Sequence, residues 1–349
     1  MCAACWAFLR PNLLDDIGKL IAQWQLMINV LLALSLCADW SPRLAADYLD
    51  SREKEWFAWK TAQTPGGPCV SCHTNVTYLL VRPALRRELG EKEPTPFETG
   101  LKDALRARIP MADVFPASFA KEPKHSQSLG VEAIHAALLL GDEAALERMW
   151  SLQVTEGKEK GAWNWFHLDL DPWETPQSNF YGAALAAMAV RNASEEHRAR
   201  HREQIAALRD YLKREQAAQP LHNRLILLWA MPSAVADRQG LLEEVWKAQQ
   251  PDGGWSMESL GPWKRASRSS GSDGYATGLV SYVLLIDHNP PEKRLSGALN
   301  WLKSHQNPEY GYWTSASMNK DYPVNSMMVK FMQDAATGFA AMALLEAGK

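Results

Sequence analysis

The feature that most constrains the fold is an internal repeat in which a Gln is followed by a Gly-x-Trp loop. The copies are, in chain order, Gln153 with Gly161-Ala-Trp163, Val245-Trp-Lys-Ala-Gln-Gln250 with Gly253-Gly-Trp255, and Trp301-Leu-Lys-Ser-His-Gln306 with Gly311-Tyr-Trp313. An earlier, incomplete copy runs from Trp59 through Gln63 to Gly67, and Pro68-Cys69 stands where the other copies have Trp. Repetition of this kind predicts one supersecondary unit stacked several times.

The segments that follow the repeats also match one another. Asn179-Phe-Tyr181-Gly-Ala-Ala-Leu185 aligns with Asp273-Gly-Tyr275-Ala-Thr-Gly-Leu279, and Asp334-Ala-Ala-Thr-Gly-Phe339 is a shorter relative. From residue 41 onward the apolar periodicity predicts helices separated by Gly, Pro and Trp-rich loops, without alternating strands. We predict six hairpins, 41–62 with 75–89, 96–108 with 128–140, 142–152 with 178–191, 194–216 with 221–230, 237–249 with 273–286, and 291–305 with 333–346. Pro83 is expected to kink the helix over 75–89 or to mark its effective start.

These repeats resemble the QW repeats of the squalene-hopene cyclase and protein prenyltransferase superfamily, over most of Ala45 to Gly348. The resemblance implies an all-α fold, a single α/α toroid of about six helical hairpins over residues 41–349. In such a fold Gln caps the outer helix, Trp stacks across the loop, and the Gly- and Ala-rich inner helices surround a central cavity. The residues expected near that cavity are Tyr181, Asp273, Tyr275 and Asp334. The two aspartates precede inner helices, so an N-cap role is the default expectation for both.

The resemblance predicts the fold and leaves enzymatic activity open. Cyclases of the superfamily protonate an alkene with an Asp-x-Asp-Asp acid, and the closest segment here is Leu168-Asp169-Leu-Asp171-Pro-Trp173-Glu174. It lacks the paired terminal aspartates, and Pro172 stands at the position of the first. We therefore expect this segment to form loop turns and helix caps. The zinc site of the prenyltransferases is also not matched residue by residue.

The second outstanding feature is a Cys-x-x-Cys-His array, Cys69-Val-Ser-Cys72-His73. Two thiols at this spacing reach the two vinyl groups of haem, and the histidine becomes the proximal iron ligand. The array predicts covalent haem c, with Cys69 and Cys72 as attachment points and His73 on the iron. His125 is the first candidate for a sixth ligand. Because Cys69 and Cys72 are the only cysteines after Cys37, no disulfide framework is expected in the body of the protein.

Two other interpretations of the array remain open. The thiolates and His73 can bind zinc with a remote fourth ligand such as His125 or His222, or the cysteines can form a redox or structural dithiol in which His73 lowers a thiol pKa. A zinc ribbon would carry a second knuckle, and a thioredoxin-like site would lie in a βαβ unit. The Gly- and Pro-rich approach over 63–68 and the helix predicted after it favour haem.

Other histidines are assigned from their surroundings in the sequence. His135 falls on the apolar stripe of a helix and is predicted to be a core residue. His197 and His201 belong to the charged segment SEEHRARHREQ and are predicted to be solvated surface.

The N-terminal 40 residues are predicted to be a signal peptide or an N-terminal anchor helix. Residues 20–38 carry no charge, and their apolar centre over 26–38 is shorter than the roughly 20 residues of a membrane span. It fits the h-region of a signal peptide, and the alternative is a buried or interfacial helix. Export to the periplasm agrees with haem c, since bacteria attach haem covalently outside the cytoplasm.

Together these features predict an exported c-type haem protein on a terpenoid-cyclase-like toroid. Its activity would be electron transfer or redox chemistry on a hydrophobic ligand in the cavity, and its partners an electron-transfer protein or a hydrophobic small molecule. The net charge of −3 gives no nucleic-acid footprint. The alternative is a non-redox enzyme or binder of terpenoids or isoprenoids, with a structural or zinc-binding Cys/His site.

Overall fold

The fold is known from a computed structural model, which describes residues 40–112, 119–265, 270–287 and 292–349. Residues 41–349 group into one compact unit. The described residues contain fourteen α-helices and one two-stranded ribbon, which confirms the predicted all-α class. None of the described helices is both long and apolar enough to cross a membrane. The predicted signal peptide or anchor lies in residues 1–40, of which only Trp40 is described.

The helices are, in chain order, α1 (Pro42–Ala58), α2 (Asn75–Glu88), α3 (Pro96–Arg108), α4 (Lys124–Leu140), α5 (Glu143–Ser151), α6 (Ser178–Asn192), α7 (Glu195–Arg200), α8 (Arg202–Glu215), α9 (Leu221–Ala230), α10 (Arg238–Lys247), α11 (Met257–Leu260), α12 (Gly274–Ile286), α13 (Glu292–Ser304) and α14 (Phe331–Ala347). The strands β1 (Gln63–Thr64) and β2 (Gly67–Pro68) pair antiparallel just before the Cys-x-x-Cys-His array.

Most predicted helix bounds agree with the structure, and the helices over 96–108 and 221–230 agree to the residue. The reason is local chemistry. Thr95 caps α3 in a capping box with Glu98, and Pro96 occupies the first turn. One detail of the prediction was wrong, because the segment over 194–216 is two helices that meet at His201. The helix α2 begins at Asn75, as predicted, and Pro83 lies inside it and does not mark its start.

Six helices contact one another in a cyclic order, namely α2, α4, α6, α9, α12 and α14. Each contacts the next in this order, and α14 contacts α2 as well as α12 and α1. Small residues allow the close approach: a Cβ on Gly278 of α12 would lie 2.5 Å from the backbone nitrogen of Ala340 in α14. The series of contacts among these six helices therefore returns to its beginning.

The repeat tryptophans tie each loop to the helix before it. Trp163, Trp255 and Trp313 are fully buried. Their indole nitrogens donate to the carbonyls of Met149, Val245 and Leu302, at 2.6, 2.8 and 2.7 Å respectively. Because a buried indole N–H needs an acceptor, each tryptophan holds its loop against the helix that precedes it.

The repeat glutamines connect successive units. The side-chain amides of Gln153, Gln249 and Gln306 donate to the carbonyls of Gly161, Gly253 and Gly311. Each also donates to a second carbonyl, in or beside a helix of the neighbouring unit, namely that of Gln204, Arg294 or Ser41. In the middle copy the bonding residue is therefore Gln249 and not the adjacent Gln250.

The repeat glycines pack directly on a helix of the neighbouring unit. Gly161, Gly253 and Gly311 have φ values of 96°, 94° and 80°, a region that favours glycine. A Cβ at these positions would lie 2.1, 2.7 and 2.3 Å from backbone atoms of Ala207 in α8, Gly297 in α13 and Leu44 in α1. The last copy therefore packs on the first helix of the unit.

Candidate functional site

The Cys-x-x-Cys-His loop is held at both sides by side chains from helices. The backbone N–H of Cys69 donates to Ala62 at 2.8 Å, and its carbonyl accepts from the indole of Trp56 at 2.9 Å. Buried Arg108 donates to the carbonyl of Pro68 at 3.1 Å and forms an ion pair with Glu132 at 2.6 Å. In the complete repeats the tryptophan comes from the loop, whereas here Trp56 of α1 supplies it. The cysteines therefore occupy a loop that is anchored without a tryptophan of its own.

The two cysteines are free thiols with different surroundings. Cys69 is half-buried, whereas Cys72 is buried with its Sγ 3.6 Å from Nε2 of His135. Nδ1 of His135 lies 3.1 Å from the carbonyl of Val70. Because a carbonyl only accepts, Nδ1 carries the proton, and Nε2 accepts the S–H of Cys72. Burial raises the pKa of both thiols, that of Cys69 to about 12. This is opposite to the lowered thiol pKa that a reactive dithiol requires.

His73 is held by a hydrogen-bonded chain that ends on a buried carboxylate. Its Nδ1 lies 2.8 Å from Oγ1 of Thr74, and that hydroxyl donates to Oδ2 of Asp334 at 2.8 Å. The imidazole ring stacks on Phe331, with ring centroids 3.7 Å apart and planes at 16°. Burial, with a smaller contribution from the Arg52 guanidinium, lowers the pKa of His73 to about 3. The ring is therefore neutral near pH 7.

Asp334 is fully buried in the first turn of α14, and its prediction as an N-cap was wrong, since Lys330 occupies that position. Its Oδ1 accepts from Nε of Arg52 and from the hydroxyl of Tyr48, both at 2.7 Å. Arg52 and Tyr48 belong to α1, so these hydrogen bonds connect the last helix to the first. The N-cap prediction for Asp273 is confirmed, because its carboxylate accepts from the backbone of Tyr275 and Ala276.

Aromatic rings extend from His73 in an unbroken series of contacts. Neighbouring ring centroids lie 5.5 to 6.0 Å apart along His73, Trp173, Tyr275, His222, Tyr181, Trp165 and His135. The series returns through His135 to Cys72. The structure therefore brings Tyr181 and Tyr275, both predicted to lie near the cavity, together with the Cys-x-x-Cys-His array.

Glu174 is a site residue whose place the sequence did not indicate. Its backbone pairs with Leu170 in the turn that was predicted for this segment. The side chain is half-buried, and burial raises its pKa to about 7. His73 is likewise half-buried, with a pKa shifted by burial. Glu174 also contributes to the raised pKa of the Cys72 thiol, which connects this carboxyl to the site. The only local signal was the neighbouring Trp173.

The histidines considered as remote ligands lie in different places. His125, in the first turn of α4, has Nε2 3.2 Å from the carbonyl of Ala112 and Nδ1 3.6 Å from the carboxylate of Glu122. His222 belongs to the aromatic series, with Nε2 2.8 Å from the hydroxyl of Tyr275. Among the described residues, the thiols and His73 do not form a group of three ligand atoms within 4.8 Å of one another.

One such group occurs elsewhere in the described part of the chain, formed by Glu147, His197 and His201. The prediction that these two histidines are solvated surface was wrong, because both are buried against α5. His201 stacks on Trp150, with centroids 5.4 Å apart, and His197 accepts the indole N–H of Trp150 at 2.8 Å. The segment is rich in charged residues, which suggested a solvated surface, but its two histidines both contact Trp150.

The hydrogen bonds of this group favour a polar network over a metal centre. Because Nε2 of His197 accepts from Trp150, Nδ1 holds the proton of the neutral ring and donates to Glu143 at 3.1 Å. A metal bound at Nδ1 would place the proton on Nε2, and two N–H groups would then face each other, those of His197 and Trp150. Arg200 forms ion pairs with Glu143 and Glu147 and already supplies positive charge there.

Comparison with known proteins gives no relative: no protein-family model matches the chain, and no curated protein matches it. The functional argument therefore depends on the geometry of the site.

Proposed function

We propose that residues 41–349 form an α/α toroid of the squalene-cyclase and prenyltransferase type. The support is the cyclic order of contacts among the six inner helices. At the seam, Gln306 bonds both the backbone N–H and the carbonyl of Ser41, at 2.6 and 2.9 Å, while Gly311 packs on Leu44. The same Gln and Gly contacts join the earlier units, so the seam repeats the internal joints.

We propose that this toroid carries covalent haem c and acts as an exported redox protein, with Cys69 and Cys72 as attachment points and Nε2 of His73 as the proximal iron ligand. The observation that carries the proposal is the chain from His73 through Thr74 to Asp334. The Thr74 hydroxyl gives its proton to Asp334, so it accepts from Nδ1 of His73 and leaves the lone pair on Nε2. Histidine ligands of metals are characteristically fixed in this way.

The donor set fits the group in its chemistry. The two free thiols have the Cys-x-x-Cys sequence spacing of a haem attachment site. The neutral His73 needs no proton removed before it binds iron. Bound there, haem supplies one-electron redox chemistry. The protein's own residues hold the loop through Arg108, orient His73 through Thr74, and exclude water with the aromatic series. A hydrophobic molecule bound against the aromatic series, or a protein that docks near the site, would be the electron-transfer partner.

The test is expression of the full chain in cells that carry a cytochrome c maturation system. We expect a Soret absorption and a haem stain that survives denaturing electrophoresis, both lost in Cys69→Ala/Cys72→Ala. Ser71→Ala changes a residue between the two cysteines without removing a thiol, and it should retain covalent haem. A wild-type protein without covalent haem, or a double variant that keeps it, would refute the proposal.

A second candidate is a non-redox enzyme or binder for an isoprenoid-like hydrophobic molecule, in which the Cys/His site is structural or holds zinc. The hydrogen bond from the buried Cys72 thiol to His135, whose ring contacts Trp165 in the aromatic series, favours it. It predicts haem-free protein in which Cys69 and Cys72 both titrate as thiols after denaturation. Native mass spectrometry with and without a chelator would then detect a retained hydrophobic ligand or one zinc ion.

A further inference from the structure

The strongest unassigned arrangement lies behind His73. Three partners, Tyr48, Arg52 and Thr74, converge on the fully buried Asp334. Tyr48 and Arg52 come from the first helix of the unit, Asp334 comes from the last, and Thr74 directly follows His73. The carboxylate therefore reaches the imidazole because the last helix packs on both α1 and α2.

The direction of the hydrogen bonds is fixed by chemistry. Burial raises the pKa of the Asp334 carboxyl, but two hydrogen bonds from the Arg52 guanidinium, at 2.7 and 3.1 Å, stabilise the carboxylate. In that form it accepts from the Thr74 hydroxyl at 2.8 Å. That hydroxyl has one proton, so toward Nδ1 of His73, also at 2.8 Å, it can only accept. Nδ1 must then be the protonated nitrogen. Oγ of Ser71 lies farther from Nδ1, at 3.3 Å, and donates its own proton to Asn75 at 2.8 Å.

The hydroxyl of Thr74 does not cap the helix that begins after it. Thr74 stands at the N-cap position of α2, but its side chain makes no capping hydrogen bond. The side chain is nevertheless buried, with 2 % of its surface exposed. A buried hydroxyl with partners on both sides, and no role in the helix start, serves to connect those partners.

We propose that Asp334, acting through Thr74, is a positioning residue for His73: it holds the imidazole in one orientation with the proton on Nδ1 and the lone pair on Nε2. The site is therefore complete only when the last helix packs on the first. The inference rests on the proposed role of His73 as a ligand, and it concerns what makes that nitrogen available.

The test compares Thr74→Val, which keeps the branched shape and removes the hydroxyl, with Thr74→Ser, which keeps the hydroxyl. Full-length protein labelled with 15N-histidine reports the tautomer of each of the nine histidines, and a His73→Gln sample identifies the His73 signals. We expect wild type and Thr74→Ser to show a single Nδ1–H tautomer. Thr74→Val should show a mixture, and Asp334→Asn should shift in the same direction.

A second measurement uses the haem-loaded chain. Hydrogen bonding of Nδ1 toward a carboxylate makes Nε2 a stronger donor and stabilises oxidised iron. We therefore expect the midpoint potential to rise in Thr74→Val and to stay at the wild-type value in Thr74→Ser. If Asp334→Asn unfolds the chain because it leaves Arg52 unpaired, the two Thr74 variants still decide the question.

The possible failures can be told apart. If no variant attaches haem, the proposed function is wrong, and the tautomer measurement on haem-free protein still tests the positioning role. If Thr74→Val keeps the single tautomer and the wild-type potential, Asp334 does not position His73. If Ser71→Ala shifts both readouts and Thr74→Val does not, the connection runs through Ser71 and Asn75, and the inference is overturned.

Discussion

Replacing Gly311 with alanine tests the joint between the last repeat and the first helix. Gly311 has φ of 80°, and a Cβ there would lie 2.3 Å from both the carbonyl carbon and the oxygen of Leu44 in α1. These atoms belong to a helix backbone and cannot rotate away. The control is Gly141, at the end of α4, with φ of 67° and no atom within 4 Å of its added Cβ.

The two substitutions share one cost and differ in another. Alanine in the left-handed region costs about 1–2 kcal/mol at either position. At Gly311 the methyl group must also push the loop away from α1, and overpacking of this kind costs about 1–3 kcal/mol more. We therefore expect Gly141→Ala to destabilise by about 1–2 kcal/mol and Gly311→Ala by about 2–5 kcal/mol.

The assay is urea unfolding of the full chain followed by circular dichroism at 222 nm. Both variants should keep the wild-type dependence on urea concentration, so that the shift in midpoint reports stability alone. If Gly311→Ala costs no more than Gly141→Ala, the last loop does not pack on α1, and the closed ring of hairpins is wrong. Gly161 and Gly253 should behave as Gly311 does, because they pack in the same way on α8 and α13.

Two further predictions concern buried charge and pH. Arg108→Met leaves Glu132 buried without its ion-pair partner and should destabilise by about 3–5 kcal/mol in the same urea assay, whereas Arg108→Met/Glu132→Leu should recover most of that loss. If the double variant is no more stable than the single one, the pair is not the source of the cost. Burial lowers the pKa of His222 to about 4, below its value of 6.5 in the unfolded chain. The unfolded state therefore binds the extra proton between these values, and stability should fall as the pH drops from about 6.5 to 4, by up to about 1.4 kcal/mol per pH unit from this residue. His222→Gln should show a shallower pH dependence of the urea midpoint, and an unchanged slope would contradict this assignment.

Local patterns in the sequence were enough to predict the helices and the repeated loops. Capping residues and prolines set the ends of α3, and the Gly-x-Trp pattern marked the three loops whose tryptophans are fully buried. These signals work because helix ends and tight loops satisfy their hydrogen bonds with residues a few positions away. The assignment of the repeat glutamine to Gln250 failed because both neighbours follow the end of α10, where helical periodicity does not tell which side chain turns toward the next unit.

The site was predicted in part. The sequence placed Cys69, Cys72 and His73 together because the array is local. It also grouped Tyr181 with Tyr275, and the structure places both rings in the aromatic series that includes His73. The prediction gave Asp334 the wrong role and placed His197 and His201 on the surface. In each case the residue that decides the role, Arg52 or Trp150, is distant in the chain. The residues next to Asp334, His197 and His201 in the sequence do not indicate this contact.

The sequence by itself determined the repeat, the helical class and the spacing of two thiols and an imidazole. Each of these depends only on residues within a few turns of helix or within one loop. Only the tertiary structure decided that Asp334 lies behind His73, across 260 residues between Thr74 and the carboxylate. Helical periodicity specifies which face of a helix is buried, but not which helix will cover it. That pairing arises when the last helix packs on the first, and the tautomer of His73 depends on it.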